Sequence, residues 1–224
     1  MAAEPPPMAR IRMLGGLVSV VQRYPGGDGR YLGHSEGECC ADSRPDDAQE
    51  ESRFPMSEPI RLAPFDVYVD PLLGFHDRRL REMQAYWEGK RRGRAMPARA
   101  DVSPAEIVSH LPSVFLVNVK PPMLDPEDFT VRLMGTALNE LFAQDFTGRS
   151  FAEVLSAKPS SAFCKLFGIV SQLRRPIRVY GHARFARGAP VTEIECVLLP
   201  LSAEDGGDTV GLVMGELVKR ASPQ

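Results

Sequence analysis

Glu193 and Glu195 form the clearest pair of side chains whose types and spacing could do chemistry. Because side chains alternate between the two faces of a strand, both carboxyl groups lie on one face of the strand that we predict over residues 191–201. Two carboxylates held together can act as general acid and general base. Such a pair more often marks a solvated strand edge or an ion pair with a neighbouring Arg, and we favour that structural interpretation.

The cysteines lack the spacing of a metal or redox site. Cys39 and Cys40 are adjacent and cannot easily bridge each other, whereas Cys164 and Cys196 each lie in an apolar pattern. No Cys-x-x-Cys occurs in the sequence. We therefore expect reduced, buried thiols in a cytoplasmic protein.

The histidines do not mark a metal or haem site either. No two of them have metal-ligand spacing, and the helix predicted over residues 160–173 contains no His that could bind haem iron. We expect structural or solvated roles for His76, His110 and His182. No catalytic residue, metal or cofactor is evident, and an unidentified small molecule is the remaining candidate ligand.

A basic segment runs from Arg78 to Arg99 and contains eight Lys or Arg residues. It could bind an anionic partner such as a nucleotide, a nucleic acid or an acidic protein surface. It could instead be a solvated helix end, where cations are favourably placed near the helix C-terminus, and we favour this second interpretation. The candidate anion patch comprises Lys90, Arg91, Arg92, Arg94 and Arg99.

The composition is that of an ordinary globular chain. It has 224 residues, of which 43% are hydrophobic and 25% charged, with a formal net charge of −2. No stretch reaches the roughly 20 apolar residues of a membrane-spanning helix, so no membrane association is expected. The nearly balanced charge argues against a dedicated nucleic-acid binder.

The composition changes abruptly near residue 56. The 55 residues before it hold seven Gly and six Pro, so we predict that residues 1–56 are either a disordered extension or the result of a mis-assigned start, with Met56 as the true one. Residues 57–103 are predicted to form an N-terminal helix and the basic loop. Residues 104–218 form the main folded domain, and residues 219–224 a tail.

An amphipathic helix is predicted over residues 73–89. Leu80, Met83 and Trp87 recur at three- and four-residue spacing and form one apolar stripe. We predict that this stripe is the face of a homodimer or of contact with another protein.

Alternation and turn residues predict the order of the remaining elements. Strands are expected over 113–120 and 129–134, helices over 136–143, 150–155 and 160–173, and strands over 177–186, 191–201 and 209–218. This order gives an α+β fold with an antiparallel five-stranded sheet and its helices between the second and third strands. Residues 114–117 are all apolar, so both faces of that strand should be covered, one of them by the 73–89 helix or by a second copy of the chain.

Short sequence segments between Trp87 and Gly148 resemble a family of PAS-like sensory domains common in alphaproteobacteria. The matching segments are Met96 to Asp101, Ser103 to Ile107, Leu111-Pro112, Phe129 to Leu133, Gly135 to Leu138 and Thr147 to Arg149, followed by Pro176 and Leu198 to Leu201. The resemblance covers about residues 73 to 218. The resemblance implies a five-stranded PAS fold with an extra N-terminal helix. It does not imply flavin photochemistry, because the surroundings of Cys164 lack the Asn-Cys-Arg-Phe-like motif of light-sensing members.

Apolar side chains on the second strand and the helices predict a ligand pocket. Its candidate lining is Val131, Leu133, Leu141, Phe142, Phe163, Phe167 and Val170, with Thr130, Arg132 and Tyr180 as candidate polar contacts. The same residues could instead pack as a solid core, which is the more common outcome for such stripes. Any cavity that remains should suit a small, largely apolar ligand.

We therefore expect a non-catalytic regulatory module that binds a small ligand or a protein partner. It should signal through its N-terminal helix, as a homodimer or to a separate downstream protein, because no kinase, cyclase or DNA-binding segment is evident. Two alternatives stay open. One is a small enzyme of the isomerase or hydratase kind with a curved-sheet pocket, which would need an ionisable residue deep in that pocket. The other is an interaction scaffold with a filled core.

Overall fold

The computed structural model describes residues 10–14, 17–21, 59–62, 65–121, 123, 125–185, 188–204 and 207–220. Contacts divide the chain into two units, Met1–Pro55 and Met56–Gln224. In the first unit, strands β1 (Arg10–Leu14) and β2 (Leu17–Val21) pair antiparallel, which was not predicted. The expected disorder and the alternative start at Met56 fall otherwise outside the described residues and stay predictions.

Seven strands of the second unit form one antiparallel sheet in the order β3-β4-β7-β8-β9-β5-β6. The strands are β3 (Ile60–Arg61), β4 (Asp66–Asp70), β5 (Val114–Val119), β6 (Phe129–Met134), β7 (Ile177–Ala183), β8 (Thr192–Ser202) and β9 (Val210–Lys219). The helices are α1 (Arg78–Arg91), α2 (Thr136–Phe142), α3 (Phe151–Val154) and α4 (Ala157–Leu173). The α+β fold, the five predicted strands and the helices between the second and third of them are confirmed.

The sheet has two more strands than predicted, β3 and β4. Strand β4 pairs with β7 along its whole length, from Asp66 opposite His182 to Asp70 opposite Arg178. The segment before α1 therefore belongs to the same sheet as the rest of the domain. Contact clustering places this segment in the same unit, Met56–Gln224, as the residues that follow it.

Helix α1 begins at Arg78, five residues later than predicted. The carboxylate of Asp77 accepts a hydrogen bond from the backbone N–H of Arg79 and caps the helix. The helix ends where Arg92 adopts a left-handed conformation with φ 49°. Further along the chain, Pro104–Glu106 form a 3₁₀ turn.

The apolar stripe of α1 packs against the sheet of the same chain. Leu80, Met83 and Trp87 are buried, and the Trp87 indole N–H donates to the backbone carbonyl of Pro200 in β8 at 2.7 Å. The prediction that this stripe forms a dimer or partner face is therefore wrong. An apolar stripe on a helix packs against an apolar surface of the same protein where one is available, and here the sheet provides that surface.

The sheet lies between two layers. Helices α2, α3 and α4 cover one face, and α1 with the segment that follows it covers the other. Val114 and Leu116 are buried towards the α1 layer and Val117 towards the helices α2–α4. The prediction that β5 is covered on both faces is confirmed, and the chain itself supplies both covers.

Among the described residues, no helix is long and apolar enough to cross a membrane.

A β-bulge interrupts the pairing of β5 with β6. Leu116 pairs with Leu133 whereas Val117 pairs with Val131, so Arg132 is an extra residue on β6. A bulge places two residues opposite one and reverses the alternation beyond it. Leu133 is therefore turned away from the face that Val131 occupies, and Met134 takes its place.

An apolar cavity between the sheet and helices α2–α4

A cavity of about 370 Å³ lies between the sheet and helices α2, α3 and α4. Strands β4 to β9 and all three helices contribute to its lining, and α1 contributes nothing. Its size lies within the range of ligand sites, whose volumes are roughly 300–1,000 Å³. The core of this layer is therefore not packed solid.

Strand β8 supplies the floor of the cavity through its alternating side chains. Ile194, Cys196 and Leu198 line the cavity, and the residues between them point to the α1 layer. Phe115 of β5 lies directly over Gly215 of β9, where a Cβ atom would overlap the phenyl ring. The absence of a side chain at Gly215 therefore lets an aromatic ring form part of the wall.

Phenylalanines form the helical side of the cavity. Phe151 stacks on Phe129 with ring centroids 5.5 Å apart and meets Phe167 edge-on at 5.3 Å and Phe163 at 5.7 Å. Phe163 in turn meets Phe65, the residue before β4, at 5.7 Å. These contacts join the segment before α1 to the helices at the edge of the cavity.

Four of the seven residues predicted to line the pocket do so. Val131, Phe142, Phe163 and Phe167 belong to the lining. Leu133, Leu141 and Val170 do not belong to it. Leu133 is 40% exposed because of the bulge at Arg132, and Val170 is fully buried elsewhere in the core.

The three predicted polar contacts lie outside the cavity. Thr130 and Arg132 are absent from the lining, and Tyr180 stacks on Tyr68 with ring centroids 5.6 Å apart. Alternation along β7 places Tyr180 on the face shared with Arg178, whose guanidinium lies 4.2 Å from the Tyr180 ring centroid. Tyr180 therefore belongs to the α1 face of the sheet.

The polar side chains that do line the cavity were not predicted. They are Ser156, Cys196 and Arg184. Burial raises the pKa of the Cys196 thiol, so it stays protonated. Period-two alternation would assign Arg184 to the face of Arg178, but β7 ends at Ala183, and beyond a strand end this pattern no longer applies.

The opposite face of the same strands carries buried charges. Arg178 of β7 donates through Nε to Glu195 of β8 at 2.6 Å and through Nη1 to Asp70 of β4 at 3.2 Å. The backbone N–H groups of His76 and Asp77 each donate to the Glu195 carboxylate at 2.9 Å. Glu195 therefore fixes the start of α1 to the sheet.

Hydrogen bonds determine the ionisation of Glu195. Burial alone would raise its pKa, but the backbone N–H groups of His76 and Asp77 and the guanidinium of Arg178 outweigh burial and hold the pKa below its usual value of 4.5. The carboxylate is thus charged at neutral pH. It stabilises the contact between α1 and β8 in that form.

A second buried carboxylate, Glu216 of β9, also contacts α1. Arg79 donates to Glu216 Oε1 through Nη2 at 2.8 Å, and His110 Nδ1 lies 2.8 Å from Glu216 Oε2. Two neighbouring strands thus each contribute one buried carboxylate that binds the first turn of α1 or the residues before it.

The paired glutamates of β8 are structural. Glu193 forms an ion pair with Arg220 at 2.6 Å, and Glu195 forms one with Arg178. The preferred interpretation as ion pairs with neighbouring Arg agrees with this arrangement. The solvated-edge version of it is wrong for Glu195, which is fully buried.

Acidic neighbours neutralise much of the candidate anion patch. Lys90 pairs with Glu106 at 2.7 Å, Arg91 with Glu88 at 2.7 Å and Arg94 with Asp101 at 2.6 Å. Arg99 donates to the backbone carbonyl of Val102, and Arg92 is exposed. This pattern is typical of a solvated helix end.

The lining does not fit a flavin or a His-ligated haem. The described residues that line the cavity include no His to bind haem iron and no Asn or Gln amide to bind the polar edge of a flavin ring. In the part of the chain that the structure describes, no three His, Cys, Asp or Glu side chains are grouped as metal ligands.

Comparison with known proteins identifies a family. A family model described as a PAS domain matches residues 75–217. Among solved structures, a fungal LOV domain photoreceptor is 13% identical over 55% of this chain and 94% of its own length, with a TM-score of 0.34. An RNA-binding light-oxygen-voltage receptor is 16% identical over 55% of this chain and 35% of its own, with a TM-score of 0.33. None of the curated proteins matches the chain.

Proposed function

This chain belongs to the PAS domain family, and we propose that it is a non-catalytic sensory module that binds a small, largely apolar molecule in its cavity. The observation that carries the proposal is the apolar cavity of about 370 Å³ between the sheet and helices α2–α4. We also propose an alphaproteobacterial origin, which the resemblance of short sequence segments to that family indicates. The proposal also includes a cytoplasmic location, which the free thiols Cys164 and Cys196 suit.

The side chains around the cavity support binding over catalysis. An isomerase or hydratase would need a general acid or base deep in the pocket. Of the described lining residues only Arg184 is charged, and it is exposed. Burial keeps the thiol of Cys196 protonated, so it is a poor nucleophile.

Strand β8 offers a route from the ligand to α1. Ile194, Cys196 and Leu198 contact the cavity on one face. On the other face, Glu195 binds the backbone at the start of α1. A ligand that displaces or straightens this strand therefore changes the contacts of α1, because both sets of side chains belong to the same backbone. The ligand acts by stabilising one packing of α1 over another.

The output goes to another protein, either a separate downstream signalling protein or a second copy of this chain. The buried stripe Leu80, Met83 and Trp87 is not accessible to either. We therefore assign the contact to the exposed side of α1, which includes Arg81 and Ala85. Nucleic acid and membrane are not part of the proposal.

Native mass spectrometry of freshly purified protein tests ligand binding. We expect a co-purified small molecule in the parent protein. Val131→Phe, which adds a ring inside the cavity, should lose that mass. Leu133→Phe is the matched control, because Leu133 lies on the same strand but outside the lining, and it should retain the mass.

Amide hydrogen exchange tests the route to α1. We expect exchange at residues 76–80 to differ between the loaded and emptied parent protein, and this difference to vanish in Val131→Phe. A protein that carries no small molecule, and whose α1 exchange does not respond to any added apolar compound, would instead be an interaction scaffold.

A further inference from the structure

Arg184 has an unusual position for a charged residue. It is the one charged residue among the described residues that line this largely apolar cavity. It is exposed, and it directly follows the last residue of β7. It therefore lies where the cavity meets solvent.

The guanidinium of Arg184 has no ion pair with any described residue. In contrast, Arg79, Arg91, Arg94, Arg178 and Arg220 all form one. An Arg whose N–H groups already donate to a neighbouring carboxylate has fewer donors available for a ligand. No described residue takes up the donors of Arg184, which could therefore meet a ligand at the edge of the cavity.

We propose that the ligand is an amphipathic monoanion, with its apolar body in the cavity and a carboxylate paired with Arg184. This inference rests on the proposed function, because it assumes that the cavity binds a ligand. One guanidinium matches one carboxylate in charge and in its paired donors and acceptors. The apolar lining would bind the body of the ligand, and Arg184 would bind its one anionic end.

The volume limits the apolar body. Taking about 30 Å³ for each water-sized group, 370 Å³ holds about twelve non-hydrogen groups. A medium-chain carboxylate or a substituted aromatic carboxylate has this size. Phe185 directly follows Arg184 in the sequence, and its ring meets that of Phe142 edge-on with centroids 4.9 Å apart. Both rings line the cavity and offer apolar surface for either body.

Decanoate and 1-decanol are suitable probes, since they share a ten-carbon chain and differ in the charge of the head. Binding of each is measured by isothermal titration calorimetry at neutral pH. We expect Arg184→Gln to bind decanoate roughly two- to fivefold more weakly than the parent does, as for an exposed ion pair, and to bind decanol unchanged. The loss should shrink as salt is added.

Arg132→Gln is the matched control. It removes the same charge from an exposed Arg that does not line the cavity, and it should leave both affinities unchanged. Val131→Phe should weaken both probes, which locates the binding inside the cavity. Equal decanoate affinity in Arg184→Gln and the parent, with decanol still bound, overturns the assignment of the anionic end but leaves the cavity as a binding site. If neither probe binds, or if Val131→Phe affects neither, both the cavity and the anionic ligand are overturned.

Discussion

The two faces of the central strands of the sheet differ sharply. On the face towards α2–α4, β8 presents Ile194, Cys196 and Leu198 to a cavity. On the face towards α1, the same strand presents Glu195 to Arg178 and to two backbone N–H groups. One face is apolar and incompletely filled, and the other is held by directional, charged hydrogen bonds.

This difference indicates how a signal can cross the sheet. Apolar contacts are non-directional, so the cavity face can adjust to a ligand with little loss of specific geometry. Buried charged hydrogen bonds have a narrow range of distances and angles, so the α1 face responds to a small shift of β8 by breaking or remaking them. Under the function proposed above, a small displacement of β8 on the cavity face would therefore be converted into a discrete change in the contacts of α1.

The largest expected effect comes from the charged face. Glu195→Leu removes the nearer carboxylate partner of Arg178 and the acceptor of the two backbone N–H groups, and leaves the buried guanidinium with Asp70 as its remaining carboxylate. Breaking a buried ion pair in this way should lower the free energy of unfolding by about 3–5 kcal/mol. Urea unfolding measures it.

Glu193→Leu is the matched control for that variant. It lies two residues earlier on the same strand, and its pair with Arg220 is partly exposed. Its loss should stay below about 1 kcal/mol. Equal losses in the two variants would contradict the view that burial and the link to α1 distinguish Glu195.

A smaller effect is expected on the cavity face at Gly215. Gly215→Ala places a Cβ against the Phe115 ring, so the ring must move. Overpacking of this kind typically lowers the free energy of unfolding by about 1–3 kcal/mol. The measurement is again urea unfolding, combined with the affinity for decanoate, because the displaced ring belongs to the cavity wall.

Two further variants sharpen the test at Gly215. Phe115→Leu should relieve the overlap, so the double variant should be less destabilised than the sum of the two single changes. In α4, the Cβ added by Gly168→Ala meets no described atom within 4 Å beyond its chain neighbours and the nearby helix backbone, so this change should stabilise the helix by about 0.5–1 kcal/mol. Destabilisation by Gly168→Ala would mean that Gly→Ala in itself, and not the Phe115 ring, accounts for the loss.

Local patterns predicted the elements of both faces. Alternation and turn residues located the five strands from β5 to β9 and the three helices between β6 and β7. They did not locate β4, because the alternating Val67 and Val69 form too short a pattern between Asp66 and Asp70. Pairing with β7, more than 100 residues away in the chain, makes this short segment a strand.

The residues of the site were predictable only as far as strict periodicity held. Val131 was placed correctly, but a single extra residue at Arg132 exchanged Leu133 for Met134 in the lining. The backbone partners of Glu195 could not be predicted either. They include the backbone of His76, 119 residues away, and no local pattern encodes a contact of that length.

The smallest expected effect is the pH dependence of the charged face. The pKa of Glu195 is lower in the folded protein than its usual value of 4.5. A lowered carboxyl pKa contributes stability that is fully present above that usual value and is lost as the pH falls through the folded-state pKa. Glu195→Gln lacks this contribution. The difference in free energy of unfolding between this variant and the parent should therefore become smaller as the pH falls from about 6 to about 3.

Val131→Phe gives the contrasting case on the cavity face. The described residues that line the cavity include no Asp or Glu, so the difference between this variant and the parent should not change with pH over that range. Parallel urea titrations at several pH values compare the two variants. If the difference in free energy of unfolding from the parent became smaller for both variants at low pH, acid would be weakening both faces of the sheet, and the effect could not be assigned to Glu195. A constant deficit for Glu195→Gln would mean that its carboxylate is not stabilised by Arg178 and the start of α1.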